Sequence, residues 1–113
     1  AQAVFGDYVI VCTPDYESAV HIEHKWDPKY IAYEPPELIG GDISVTSSEP
    51  EVISKAVKLV KSLSSSTKVL VGAGIHSKED IGQALLLGAE GVLIASAVIK
   101  AKNPHKFLEG LLI

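Results

Sequence analysis

Tyr30-Ile31-Ala32-Tyr33-Glu34-Pro35-Pro36-Glu37-Leu38-Ile39-Gly40-Gly41 is the stretch from which the fold can be read. Its first four residues are strand formers, an acid follows them, and two prolines follow the acid. Proline has no backbone N–H to give to a sheet and holds φ at about −65°, so the predicted strand is Tyr30 to Tyr33. The carboxylate of Glu34 therefore sits where a strand stops, which is where α/β enzymes place their chemistry. The prolines make a stiff exit and Gly40-Gly41 a flexible one, so residues 35–42 read as a lid loop.

Working outward, Asp7 to Cys12 reads as a strand that is apolar on both faces, the pattern of a parallel strand covered on each side. Thr13-Pro14-Asp15 predicts a helix with Thr13 as N-cap and proline in the first position, running to about Lys25, and Asp27-Pro28 closes the connection. Beyond the lid, Ser48-Glu49-Pro50-Glu51 reads as a capping box. Behind it Val52, Ile53, Ala56, Val57, Leu59, Val60 and Leu63 fall at helical spacing. After the Ser64–Thr67 loop, Lys68–Val71 is the third strand and leads into Gly72-Ala73-Gly74. Ser77 opens a helix that Gly88 stops. Gly91–Ala95 is the fourth strand, running into Ser96 and a short helix, and Asn103-Pro104 caps a last helix carrying Phe107, Leu108, Leu111 and Leu112. Strands that alternate with helices in this way define an α/β chain with a parallel sheet and right-handed crossovers.

Composition narrows the function classes. A chain of 113 residues with 47% hydrophobic content is one domain with a real core, spanning residues 1–113. The formal net charge of −4 speaks against nucleic acid as a partner. Apolar runs such as Val9–Cys12 and Ala84–Leu87 fall far short of the roughly 20 residues of a membrane span, and no signal peptide is visible, so no membrane partner and a cytoplasmic location are expected. The single cysteine, Cys12, has no partner for an internal disulfide and reads as buried packing. A start at Ala1 without methionine is read as processing, excision or engineering.

Glu34-Pro35-Pro36-Glu37-Leu38-Ile39-Gly40 resembles the catalytic-glutamate and lid segment of the triosephosphate isomerase family in its archaeal form. The resemblance runs from Asp7 to Leu112 and covers strands five to eight of that family's (β/α)8 barrel. A whole barrel needs about 250 residues, so the fold implied is the (β/α)4 half of a TIM barrel: four parallel strands with covering helices. The resemblance implies Glu34 as the base that takes a proton from a carbon beside a carbonyl. It also implies a substrate phosphate held by backbone groups of Gly74, Ala95 and Ser96, together with Ile39 and Gly40 of the lid; Ala95-Ser96 follows the archaeal variant of a segment that is glycine-rich elsewhere in the family. A glutamate base under a closing lid is the arrangement for which this family is itself the standard case.

Without the resemblance, Glu34 reads first as a strand-end acid paired with a lysine, and Gly72-Ala73-Gly74 reads either as a turn or, with Ala95-Ser96, as a phosphate cradle. Glu37 matches the lid motif but is given no chemistry. His21 and His24 lie three apart on one helix without a further ligand, and His76 and His105 sit at helix starts; all four read as surface residues, so neither metal nor cofactor is expected. The family's Asn-x-Lys motif and electrophilic histidine belong to the barrel's other half and have no counterpart here. The expected function is the C-terminal half of an isomerase that interconverts dihydroxyacetone phosphate and D-glyceraldehyde 3-phosphate, weak or inactive alone. Its partners are a triose phosphate and either a complementary N-terminal half or a second copy of the chain. The alternative is a non-enzymatic half-barrel, a fragment or a design, that binds phosphate or serves as a scaffold and self-associates.

Overall fold

The computed structural model describes residues 9–39, 41 and 43–112; the side chains of Tyr16 and His24 lie outside the description. Four strands lie side by side in chain order and all pair in parallel: β1 (Ile10–Thr13), β2 (Tyr30–Tyr33), β3 (Lys68–Val71) and β4 (Gly91–Val92). Helix α1 (Tyr16–Trp26) joins β1 to β2. The one-turn α2 (Val45–Ser48) and α3 (Pro50–Leu63) join β2 to β3, and α4 (Lys78–Leu86) joins β3 to β4. After β4 come α5 (Ser96–Ile99) and α6 (Pro104–Gly110). This is the (β/α)4 half of a barrel.

Alternation along the strands sorts the two faces of the sheet. Ile31 and Tyr33 of β2 stand beside Val69 and Val71 of β3 in register, and with Ala19, Ile53, Val57, Val60 and Ala84 from the helices they form one core. Helix α3 shows why its sequence folds this way: Ile53, Ala56, Val57 and Val60 are buried on one stripe, while Glu51, Lys55 and Lys58 face water. The opposite face of the sheet carries Ala32 and Glu34. There Ile10 is 44% exposed, and Cys12 and Lys68 are exposed as well.

Several local expectations are corrected. Strand β1 is covered on one face only: Val11 and Thr13 turn to the covered side while Ile10 and Cys12 lie on the open face of the sheet, so Cys12 is exposed and not buried packing. Asp7 and Tyr8, expected to begin this strand, lie outside the described residues. Thr13 is the last residue of β1 and its hydroxyl donates to the Ala32 carbonyl, so it does not cap α1. Asp15 does, accepting from the Ser18 N–H at 2.7 Å. The expected capping box does not form because Ser48 is used as the end of α2. Ser44 caps that turn, and Glu49 at the start of α3 accepts a hydrogen bond from the Tyr33 hydroxyl at 2.7 Å. Strand β4 is two residues long, not five, since its ladder on β3 ends where Val71 gives way to Gly72. In α6, Leu108 and Leu112 stay exposed while Phe107 and Leu111 are half-buried. Ser77 and Asn103 cap α4 and α6 as expected. No helix among the described residues is long and apolar enough to cross a membrane.

Candidate functional site

The ends of β2 and β3 build the site. The Glu34 N–H donates to the Thr13 carbonyl at 2.9 Å and the Gly72 N–H to the Tyr33 carbonyl at 2.9 Å, so the residue just past β2 is held by both neighbouring strands. Pro35 behind it is fully buried. Pro36–Leu38 then forms a 3-10 turn closed by the Leu38 N–H on the Pro35 carbonyl, which sets the path of the connection that follows. Ile39 leaves this turn 57% exposed.

The connection returns to the sheet at the loop after β3. There the Val45 N–H donates to the Ala73 carbonyl at 3.0 Å, and Gly74, with φ of +72°, lies so close to Ile43 that a Cβ would stand 2.0 Å from the Ile43 carbonyl oxygen. Only glycine fits this position. Ala73 also takes a left-handed φ, of +84°. Beyond β4, the Leu93 N–H donates to the Val71 carbonyl, and α5 begins at Ser96; the Val98 and Ile99 N–H groups donate to the Ala95 carbonyl, which leaves the Ser96 and Ala97 N–H groups without intrahelical acceptors.

These pieces enclose one cleft of about 290 Å³, lined by Glu34, Ile39, Ala73, Gly74, Ile75, Leu93, Ile94, Ala95 and Ser96. Five of the six residues singled out in the sequence, Glu34, Ile39, Gly74, Ala95 and Ser96, therefore meet around one space. Gly40, the sixth, lies outside the described residues. Glu37 is exposed on the 3-10 turn and does not line the cleft. The histidines stand apart from it. His21 is exposed, and the His24 side chain lies outside the described residues. The His76 ring is exposed beside the Gly74 carbonyl and Asp80, and His105 pairs with Glu109 at 2.7 Å. Among the described residues no three His, Cys, Asp or Glu side chains gather as a metal set would need.

Two neighbours of Glu34 are not read from the sequence as touching it: Cys12 reads there as packing, and Gly72 only with Ala73 and Gly74 as part of a phosphate cradle. Partial burial, and after it the adjacent Glu34 carboxylate, raises the pKa of the Cys12 thiol, which places the thiol beside that carboxylate from the β1 side. Gly72 stands on the β3 side, where a Cβ would lie 2.6 Å from Glu34 Oε2. The signal for both is the strand register: Cys12 pairs with Ala32, and Val71 with Tyr33, but that register exists only once the sheet is formed.

Fold and cleft together define half of a (β/α)8 barrel with its candidate site at the carboxyl ends of the strands. The chain belongs to the triosephosphate isomerase family, whose model, described as Triosephosphate isomerase, matches residues 5–111. It is 45% identical to the triosephosphate isomerase of Methanosarcina acetivorans over 99% of this chain and 50% of that one. It is 48% identical to the enzyme of Methanocaldococcus jannaschii over 95% of this chain and 48% of that one. For Archaeoglobus fulgidus the identity is 52%, over 75% and 38%. The chain thus spans about half the length of the curated relatives it matches. Among solved structures, the BexX/CysO complex of Amycolatopsis orientalis superposes with a TM-score of 0.63 at 20% identity, over 90% of this chain and 41% of that one. (S)-3-O-geranylgeranylglyceryl phosphate synthase of Thermoplasma acidophilum does so with a TM-score of 0.60 at 18% identity, over 87% and 37%. At these identities the likeness is one of fold.

Proposed function

We propose that this chain supplies the base and the phosphate cradle of an active site that interconverts dihydroxyacetone phosphate and D-glyceraldehyde 3-phosphate, and that a complementary N-terminal half supplies the rest. The observation that carries this reading is the gathering of Glu34, Ile39, Gly74, Ala95 and Ser96 around one cleft at the carboxyl ends of the strands. The Glu34 carboxylate takes a proton from the hydroxyl-bearing carbon beside the substrate carbonyl and returns it to the former carbonyl carbon, while the hydroxyl proton passes from the first carbon's oxygen to the second's through the electrophile of the other half, so an enediolate forms and collapses with no net change in protons. The phosphate rests on backbone N–H groups at Gly74, Ala95 and Ser96, with Ile39 and Gly40 of the 35–42 lid closing over it. Charge that develops on the enediolate oxygen needs an electrophile, which the family places in the other half, so turnover by this chain alone is very low.

The test is isomerase activity of the chain alone and mixed with the complementary half of the Methanosarcina acetivorans relative. Mixing is expected to produce turnover, and Glu34→Gln to lower it by roughly 10²- to 10⁴-fold, the usual contribution of a general base, with phosphate binding little changed. Near-normal turnover in that variant would remove Glu34 from the mechanism. A mixture that binds inorganic phosphate but never turns over would favour the non-enzymatic half-barrel. Ser96→Ala keeps the backbone N–H, so phosphate affinity is expected to stay near normal, and a large loss would assign the contact to the hydroxyl. Proline is the poorer probe here because Ala95 has ψ of −75°, a conformation disfavoured before proline.

A further inference from the structure

We infer that Gly72 is a positioning residue for Glu34: its missing side chain is the space in which the carboxylate rests. A Cβ built at Gly72 would lie 2.6 Å from Glu34 Oε2, 2.9 Å from Cγ and 3.0 Å from Cδ, and these are the three nearest atoms it would meet. The backbone does not demand glycine here, since Gly72 lacks the left-handed φ of Gly74 and Gly88. What a side chain at 72 would displace is therefore the glutamate and not the sheet. To regain ordinary contact near 3.4 Å from 2.6 Å, the carboxylate must move by about 0.8 Å, away from β3 and toward β1 or the cleft. The hydrogen bond from the Gly72 N–H to the Tyr33 carbonyl keeps the two positions side by side, so the main chain cannot drift apart to absorb the change.

The inference rests on the reading of Glu34 as the base but is tested without turnover. Cys12 is the only cysteine in the chain, is exposed, and has a thiol beside the Glu34 carboxylate, so the pH dependence of its alkylation by iodoacetamide reports where that carboxylate lies. Gly72→Ala is expected to move the pH of half-maximal alkylation by about half a unit or more, and to move nothing when made in a Glu34→Ala chain, where there is no carboxylate to displace. A folded Gly72→Ala variant that titrates like the parent, or an equal shift with and without Glu34, would overturn the inference. If Gly72→Ala alone does not fold, the Gly72→Ala, Glu34→Ala chain must; failure of both would place the demand for glycine in the backbone and overturn it equally. In the complemented enzyme Gly72→Ala is expected to lower kcat by about 10²-fold with phosphate affinity kept, since a misplacement near 1 Å costs that much. Should Glu34→Gln leave turnover intact, the base assignment falls while the alkylation result still decides the seat.

Discussion

Glu23 shows what a single buried acid does to this chain. It lies on α1 and is 2% exposed, and neither of its carboxyl oxygens has a hydrogen-bond partner among the described residues. The Thr67 hydroxyl beside it is directed at the Pro28 carbonyl at 2.6 Å and lies 3.3 Å from Asp27 Oδ1. Burial first, and the Asp27 carboxyl after it, pushes the pKa of Glu23 up to about 7, against a smaller opposing pull from Thr67 and Ser64. The folded chain thus favours the neutral acid. The stability this contributes is fully present below the ordinary value of 4.5 and is lost as pH rises through about 7. Asp27, held below its ordinary range first by the neighbouring Glu23 carboxyl and then by Ser64, acts in the other direction and only in more acid solution. Denaturant midpoints are expected to fall between about pH 5 and about pH 8, and Glu23→Gln to remove most of that slope. A parent chain as stable at the higher pH as at the lower would contradict this account.

Among the elements, the connection between β2 and α2 depends on the loop after β3. Gly74 permits the Ile43 carbonyl to approach, and the Ala73 carbonyl receives the Val45 N–H, so the far end of the proposed lid is docked on β3 while Ile39 stays out in the cleft. Alanine at 74 would combine an unfavourable φ with a clash against backbone, which cannot move aside as a side-chain end does. Gly74→Ala is expected to destabilise the chain by roughly 2–4 kcal/mol and to weaken phosphate binding as well. Equilibrium unfolding in urea measures the first effect. A loss below about 0.5 kcal/mol would mean that the two segments separate easily and that the docking holds nothing in place.

At the scale of the whole molecule, β1 and β4 are the edges of the sheet, each with its outer side unpaired among the described residues. Ile10 on β1 is 44% exposed, and the elements after β4 expose Ile99 at 79% and Leu112 at 73%. Removing apolar surface from water is worth roughly 25 cal/mol per Å², so a few hundred Å² favours association by several kcal/mol before the entropy of pairing is subtracted. The isolated chain is expected to self-associate, most simply as a two-fold dimer in which β4 of each copy meets β1 of the other. Such a closed barrel would hold two Glu34 carboxylates and no electrophile from the missing half, and its isomerase activity should be very low. Sedimentation at micromolar concentration tests the association. A compact monomer that shows no dimer on raising the concentration would sink the idea.

The sequence by itself determined the order of the four strands and of the longer helices between them, the ends of β2 and β3, and the caps at Ser77 and Asn103. Each of these rests on local chemistry: a proline that cannot pair, a side chain that bonds the backbone three residues on, a stripe at helical spacing. The family motif from Glu34 to Gly40 added which acid to single out. Only the tertiary structure decided that Cys12 is exposed, that Ser48 ends one helix and does not begin the next, and that Glu49 bonds Tyr33. It alone also buried Glu23 with no hydrogen-bond partner among the described residues and gave Glu34 a seat between Cys12 and Gly72. These outcomes depend on which strands become neighbours and in what register. Contacts between residues 19 to 40 positions apart leave no periodic mark in the chain that makes them.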